Sequence, residues 1–194
     1  MKNSRTAYVI LGMLSFAPKG SGYELHKAIE ENFGSFWGES YGQIYPSLKQ
    51  LAAEGLIEAC EPAAATKKRR QEYALTDAGR VALRQWLAQP FQNDPPRNEF
   101  MLKLFFGRQA EPGVALAHVL EVNRRNRQML AQLEGIEKMA RAYQSKDPNL
   151  PYWMLTLGLG IAMTRAALEW GEAALKELAA LDEPTSTAAA ASLE

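Results

Sequence analysis

Apolar residues recur at helical spacing along most of the chain. The runs are short and punctuated before position 90, and long after position 110. Tyr8, Val9, Leu11, Leu14 and Phe16 give the apolar side of a first helix, stopped by Pro18-Lys19-Gly20. Ser21 is placed to cap a second helix, with Glu24 completing a capping box, and Leu25, Ile29 and Phe33 follow at i+4 steps until Gly34. Ser40 caps a third helix that runs to about Glu54 with Ile44, Leu48 and Leu51 inward, and Gly55 closes it. Pro46 falls within that pattern and is expected to mark the true first turn, where proline is tolerated. The residues from Leu56 to Cys60 and from Gln71 to Leu75 then read as two strands around a loop of Pro, Ala and basic residues. Thr76 caps a fourth helix with Asp77 in its first turn and Val81, Leu83, Trp86 and Leu87 on its apolar side.

The order helix, helix, helix, strand, strand, helix predicts a winged helix-turn-helix over residues 1–89. Residues 90–96 hold three prolines and read as a linker. Residues 97–183 read as an all-α domain: a short apolar helix from Asn98 to Phe106, then two long helices. In the first, Val119, Val122, Asn126, Met129, Leu133, Ile136, Ala140 and Tyr143 alternate in steps of three and four, a coiled-coil seam in which Asn126 is placed to fix register. The residues from Asp147 to Pro151 break the chain. The last helix, about Tyr152 to Leu181, carries Leu157, Ile161, Thr164, Leu168, Gly171, Leu175 and Leu178 on one side. A lone antiparallel pair cannot bury this much apolar surface. A second copy is the expected cover, with Val122, Met129, Leu157, Ile161, Leu168 and Leu175 as dimerisation residues. Residues 184–194 read as a flexible tail. The fold class is therefore mainly α: an N-terminal winged helix-turn-helix with its α/β wing, then a helical dimerisation domain.

Composition narrows the function. The chain has 194 residues and a net charge of zero, with 11 Lys+Arg against 9 Asp+Glu in residues 1–90. Neutrality argues against a non-specific nucleic-acid coat, yet a specific binder needs only a local basic surface. Lys67, Lys68, Arg69 and Arg70 supply one at the tip of the expected wing, where phosphate contact is the functional reading and a solvated loop the bland one. Ser40, Gln43, Tyr45 and Lys49 are the candidate DNA contacts of the third helix. Glutamine can read adenine bidentately, and the others can reach phosphates or base edges. Arg124, Arg125 and Arg127 are expected to face solvent or pair with carboxylates, and His26 to lie at the surface. Phe36, Trp37, Trp86, Phe100, Phe105 and Phe106 are expected mostly as core, with a pocket for a flat effector as the alternative. Cys60 and the two histidines lack metal-ligand spacing. With no phosphate loop, nucleophile elbow or paired carboxylates, neither an enzyme nor a cofactor is expected. No apolar run reaches the length of a membrane span, so no membrane partner and a cytoplasmic location are expected.

These residues also carry a family resemblance. Ser21-Gly22-Tyr23-Glu24-Leu25, Phe36-Trp37, Gln43-Ile44-Tyr45-Pro46-Ser47-Leu48, Leu51, Glu54-Gly55-Leu56-Ile57, Tyr73 and Leu75-Thr76-Asp77-Ala78-Gly79-Arg80 resemble the PadR family of transcriptional regulators. Arg97-Asn98-Glu99-Phe100 with Lys103-Leu104 resembles the start of the C-terminal domain in the larger PadR/AphA-like branch. The resemblance implies a homodimer on a palindromic operator in double-stranded DNA. It also implies repression, with release by a small apolar, aromatic or drug-like effector in some members. The wing departs from the family's glycine-arginine pattern, since Ala63-Ala64-Ala65-Thr66 precede the basic run. Two other readings stay open at this point: a dimeric small-molecule-binding protein with weak or lost DNA binding, and a winged-helix protein–protein adaptor.

Overall fold

The computed structural model describes residues 4–33, 39–60, 70–91, 98–143 and 146–182. The wing tip with Lys67, Lys68 and Arg69, the aromatic pair Phe36 and Trp37, most of the expected linker and the tail lie outside the described residues. The chain divides into two compact units, Met1–Asp94 and Pro95–Glu194.

In the first unit α1 (Arg5–Phe16), α2 (Gly22–Phe33), α3 (Tyr41–Ala53) and α4 (Asp77–Leu87) enclose one core beside a small antiparallel sheet. Its strands are β1 (Gly20–Ser21), β2 (Ile57–Ala59) and β3 (Glu72–Leu75), in the order β1-β3-β2. Gly20 pairs with Tyr73, and Ile57 with Leu75. Ile10, Leu11 and Leu14 of α1, Leu25 and Ile29 of α2, Ile44, Leu48 and Leu51 of α3, and Leu56 and Ile57 fill the core. Each such side chain contributes roughly 1.5–3 kcal/mol when fully buried.

The local stops follow the sequence. Glu24 Oε2 accepts from the Ser21 backbone N–H at 2.9 Å and from its hydroxyl at 2.8 Å, so the capping box forms. Gly55 takes φ +71°, the left-handed turn that ends α3. The Thr76 hydroxyl oxygen accepts from the Gly79 N–H at 3.1 Å and starts α4.

Several expectations are corrected. Pro46 is not in a first turn. It lies within α3, its helical partner carbonyl would be that of the exposed Gly42, and Ser40 with Gln43 tie the start of the helix earlier. On α1 the face is rotated: Ile10 is fully buried and Phe16 half exposed. Val81 and Leu87 of α4 are exposed in their unit, whereas Leu83 and Trp86 pack inward and Trp86 stacks on Tyr8 at 4.7 Å. The two-residue β1 has no signature in the sequence, because Gly-Ser carries no apolar alternation.

In the second unit, α5 (Glu99–Phe105) and a 3-10 turn (Gly107–Gln109) lead into α6 (Val114–Tyr143) and α7 (Leu150–Asp182). The last two form an antiparallel hairpin. Glu134 pairs with Arg165 at 2.7 Å and Arg127 with Glu172 at 3.6 Å, stepping in opposite directions along the two helices. The helix α7 begins two residues before the expected start, with Pro151 in its first turn, where the missing N–H costs nothing. The buried amide of the seam is Asn123, not Asn126. Asn123 is fully buried, whereas Asn126 is half-buried. A Cβ at Gly171 would lie 1.9 Å from Asn123 Oδ1, so glycine is what lets α7 pass this close to the amide as it is oriented here.

Candidate nucleic-acid interface

The first residues of α3 form one end of the unit, and the sequence sets their direction. Ile44, Leu48 and Leu51 point into the core, which turns Gln43, Tyr45 and Lys49 outward, and all three are exposed. Ser40 is exposed at the helix start. Its backbone N–H and its hydroxyl both donate to Gln43 Oε1 at 3.0 Å. Gln43 thus spends its carbonyl oxygen on capping and keeps only its amide nitrogen for a partner, half of the bidentate reading expected of it. Ahead of the cap, Glu39 is buried and accepts from the Thr6 hydroxyl at 3.0 Å, which ties this end of α3 to α1.

A group of aromatic rings surrounds this end. Tyr41 stacks on His26 at 3.7 Å with 7° between planes, and lies 6.3 Å from Tyr45 and 6.5 Å from Tyr23. Tyr23, Tyr41 and Tyr45 all keep substantial exposure. The Arg70 guanidinium sits 3.9 Å over the Tyr23 ring. Tyr45 lies against α2 so tightly that a Cβ at Gly22 would come 2.9 Å from its ring. The expectation for His26 is therefore corrected: it is buried beneath Tyr41, with Nδ1 3.4 Å from Glu30 Oε2 but not aligned for a hydrogen bond. Tyr23 and Tyr41 were not among the candidates. The only signal available was the i+4 spacing of Tyr41 and Tyr45 and the tyrosine beside Gly22.

Electrostatics at this face involve Glu24. The two hydrogen bonds from Ser21 hold its carboxyl below the ordinary value, and the charges of Arg70 and Lys19 add to that. Lys19 also pairs with Glu72 across the β1–β3 ladder.

In the second unit, Arg124 and Arg125 both clamp Glu121, pulling its carboxyl down to about 2, and Arg127 faces Glu172. The arginine cluster thus pairs with carboxylates, as expected. Of the expected dimerisation residues, Ile161 is buried and Val122, Met129, Leu157, Leu168 and Leu175 are half-buried within their unit. The exposed apolar stripe of α7 lies elsewhere: Tyr152, Leu155, Leu159, Met163 and Trp170. Phe105 and Phe106 are exposed rather than core, while Phe100 packs edge-on against Trp170 at 6.0 Å. Between α5, the 3-10 turn and α6 lies a cavity of about 560 Å³, lined by Leu102, Phe106, Val114 and Ala115 with Lys103 and His118 as its charged or ionisable groups. Among the described residues no His/Cys/Asp/Glu cluster could hold a metal, and no helix is long and apolar enough to cross a membrane.

Comparisons with known proteins agree with this architecture. A family model described as transcriptional regulator PadR-like family matches residues 10–85, and one described as virulence activator alpha C-term matches residues 96–179. The negative transcriptional regulator PadR of Bacillus subtilis is 41% identical over 103 residues, covering 51% of this chain and 54% of that protein. The chain thus spans about half the length of that curated relative. The crystal structure of Bacillus subtilis PadR in complex with operator DNA superposes with a TM-score of 0.78 at 28% identity, covering 90% of this chain and 99% of the other. The same protein has been solved in complex with p-coumaric acid, with a TM-score of 0.71 at 28% identity, covering 91% and 99% of the two chains. The virulence activator AphA of Vibrio cholerae superposes with a TM-score of 0.69 at 27% identity, over 91% and 99%. The named relatives are regulators, in line with the expectation that the chain is not an enzyme.

Proposed function

Because the chain belongs to the PadR-like family of transcriptional regulators, we propose that it works as a homodimeric repressor bound to a palindromic promoter site in the cytoplasm, without a cofactor. The observation that carries this reading is the outward face at the start of α3. Ser40, Gln43, Tyr45 and Lys49 are exposed opposite a fully buried apolar face, so this face is open to the major groove. Arg70 and the basic run beside it supply phosphate contact from the wing. The exposed stripe of α7 is the surface by which two copies associate, and association sets the spacing of two DNA heads.

The reading extends to an effector. The cavity beside α5 and α6 has apolar walls with Lys103 and His118 among them, a combination suited to a small aromatic acid. The complex of the Bacillus subtilis relative with p-coumaric acid supports this class. Binding there lowers operator affinity if the ligand favours a dimer whose heads no longer fit both half-sites.

The test is selection of a preferred site from a pool of random duplexes, followed by titration against that site and scrambled DNA. The expected result is a palindromic sequence bound in preference to scrambled DNA, with aromatic acids reducing that preference. Equal affinity for both DNAs at low salt would contradict the reading.

A further inference from the structure

We infer that Tyr23 is a positioning residue for DNA binding: its ring is a platform that pre-orients the Arg70 guanidinium at the base of the wing for a phosphate. The inference rests on the DNA-binding reading above and adds a residue outside the recognition helix. Arg70 lies just before β3, and Tyr23 lies in the first turn of α2, 47 positions earlier in the chain. The fold brings them together because β1, which leads into α2, pairs with β3, with Ser21 opposite Glu72. The guanidinium carbon stands 3.9 Å over the ring centroid.

This geometry has a chemical consequence. A guanidinium that stacks by its face keeps its N–H donors around its edge, so stacking on a ring and forking a phosphate are compatible. A lysine in the same place offers a point charge and no plane to stack. Among the described residues Arg70 has no ion-pair partner. The nearby Glu24 carboxylate has its Oε2 occupied by Ser21, and its charge reaches Arg70 only through space. The platform is itself supported. Tyr23 lies 6.5 Å from Tyr41 at 16° between planes, and Tyr41 is stacked on the buried ring of His26. The wing base and the start of the recognition helix are thus joined by one set of rings. An arginine already held in place loses less conformational freedom when it meets DNA than a free one does.

The test is a double-mutant cycle on the full-length protein, read as affinity for its selected site at several salt concentrations. Tyr23→Leu and Arg70→Ala should each weaken binding roughly tenfold per head, the range of one charge-assisted contact. Each should also flatten the salt dependence by about one counterion per head. The double variant should be no weaker than Arg70→Ala alone. Tyr23→Phe keeps the platform and should stay within about twofold of the parent, while Arg70→Lys keeps the charge and hence the salt slope but loses the stacked fork, and should bind more weakly than the parent and more tightly than Arg70→Ala. Thermal melting of each variant separates a folding defect, which leaves the salt slope unchanged, from loss of the contact. A Tyr23→Phe loss equal to that of Tyr23→Leu would overturn the inference, because the hydroxyl would then be the contact. Additive losses in the double variant would overturn it too. A parent protein with no preference for any DNA sequence would instead remove the DNA-binding reading, and this inference with it.

Discussion

Gly79 shows how a single side chain can be excluded by its neighbours. A Cβ there would lie 2.0 Å from the Leu56 carbonyl oxygen, at the point where α4 crosses the start of β2. The contact is with backbone, so nothing flexible can yield. Gly79→Ala is expected to lower the stability of the first unit by about 2–4 kcal/mol, in the range of severe overpacking, measured by urea unfolding. Gly171→Ala is expected to cost less, because the neighbour is the Asn123 side chain, which can change rotamer. A Gly79→Ala protein as stable as the parent would refute the close approach. The sequence marked Gly79 only through the family resemblance, since periodicity says nothing about which backbone lies above a helix. It marked the wrong amide on α6 for a related reason. A seam written in steps of three and four can be drawn through Asn126 or through Asn123. Only the glycine opposite, on another helix, chooses between them.

At the level of elements, caps and stops were legible and faces less so. Ser21 with Glu24, Ser40, Gly55 and Thr76 each act where the sequence placed them, because capping depends on residues within four positions of one another. The strand β1 and the seat of Arg70 on Tyr23 depend on pairing across about fifty residues, and the stack of Tyr41 on His26 joins two helices, neither of which local pattern carries. The capping box of α2 makes a pH prediction. Hydrogen bonds from Ser21, then the charges of Arg70 and Lys19, hold the Glu24 carboxyl below its ordinary value of 4.5. Its folded-state value is depressed, so its contribution is complete above that ordinary value and is lost as pH falls through the lower one. Acid unfolding followed by circular dichroism should show Glu24→Gln losing less stability than the parent between pH 5 and pH 3, values taken as a rough carboxylate window. Identical acid limbs for the two proteins would show that the box adds nothing in its charged form.

On the proposed reading the whole molecule works as two copies acting together. Tyr152, Leu155, Leu159, Met163 and Trp170 run along one exposed side of α7, while the residues the sequence nominated for the dimer are buried or half-buried within their unit. Pattern alone could not separate the two, because a helix covered on both sides repeats apolar residues on both. Leu159→Glu combined with Met163→Glu is expected to yield a monomer by sedimentation, with the hairpin still helical. Its affinity for a full palindrome should fall by about 10²-fold or more, since the second head no longer binds as part of the same molecule. A variant that remains dimeric would move the interface to another surface. The most direct test of the central claim is the stoichiometry and footprint of the parent protein on its selected site across a salt series. The account predicts two protomers per site, protection of two symmetric half-sites about one helical turn apart, and affinity that falls steeply as salt rises. One protomer per site, or binding indifferent to sequence and salt, would contradict it.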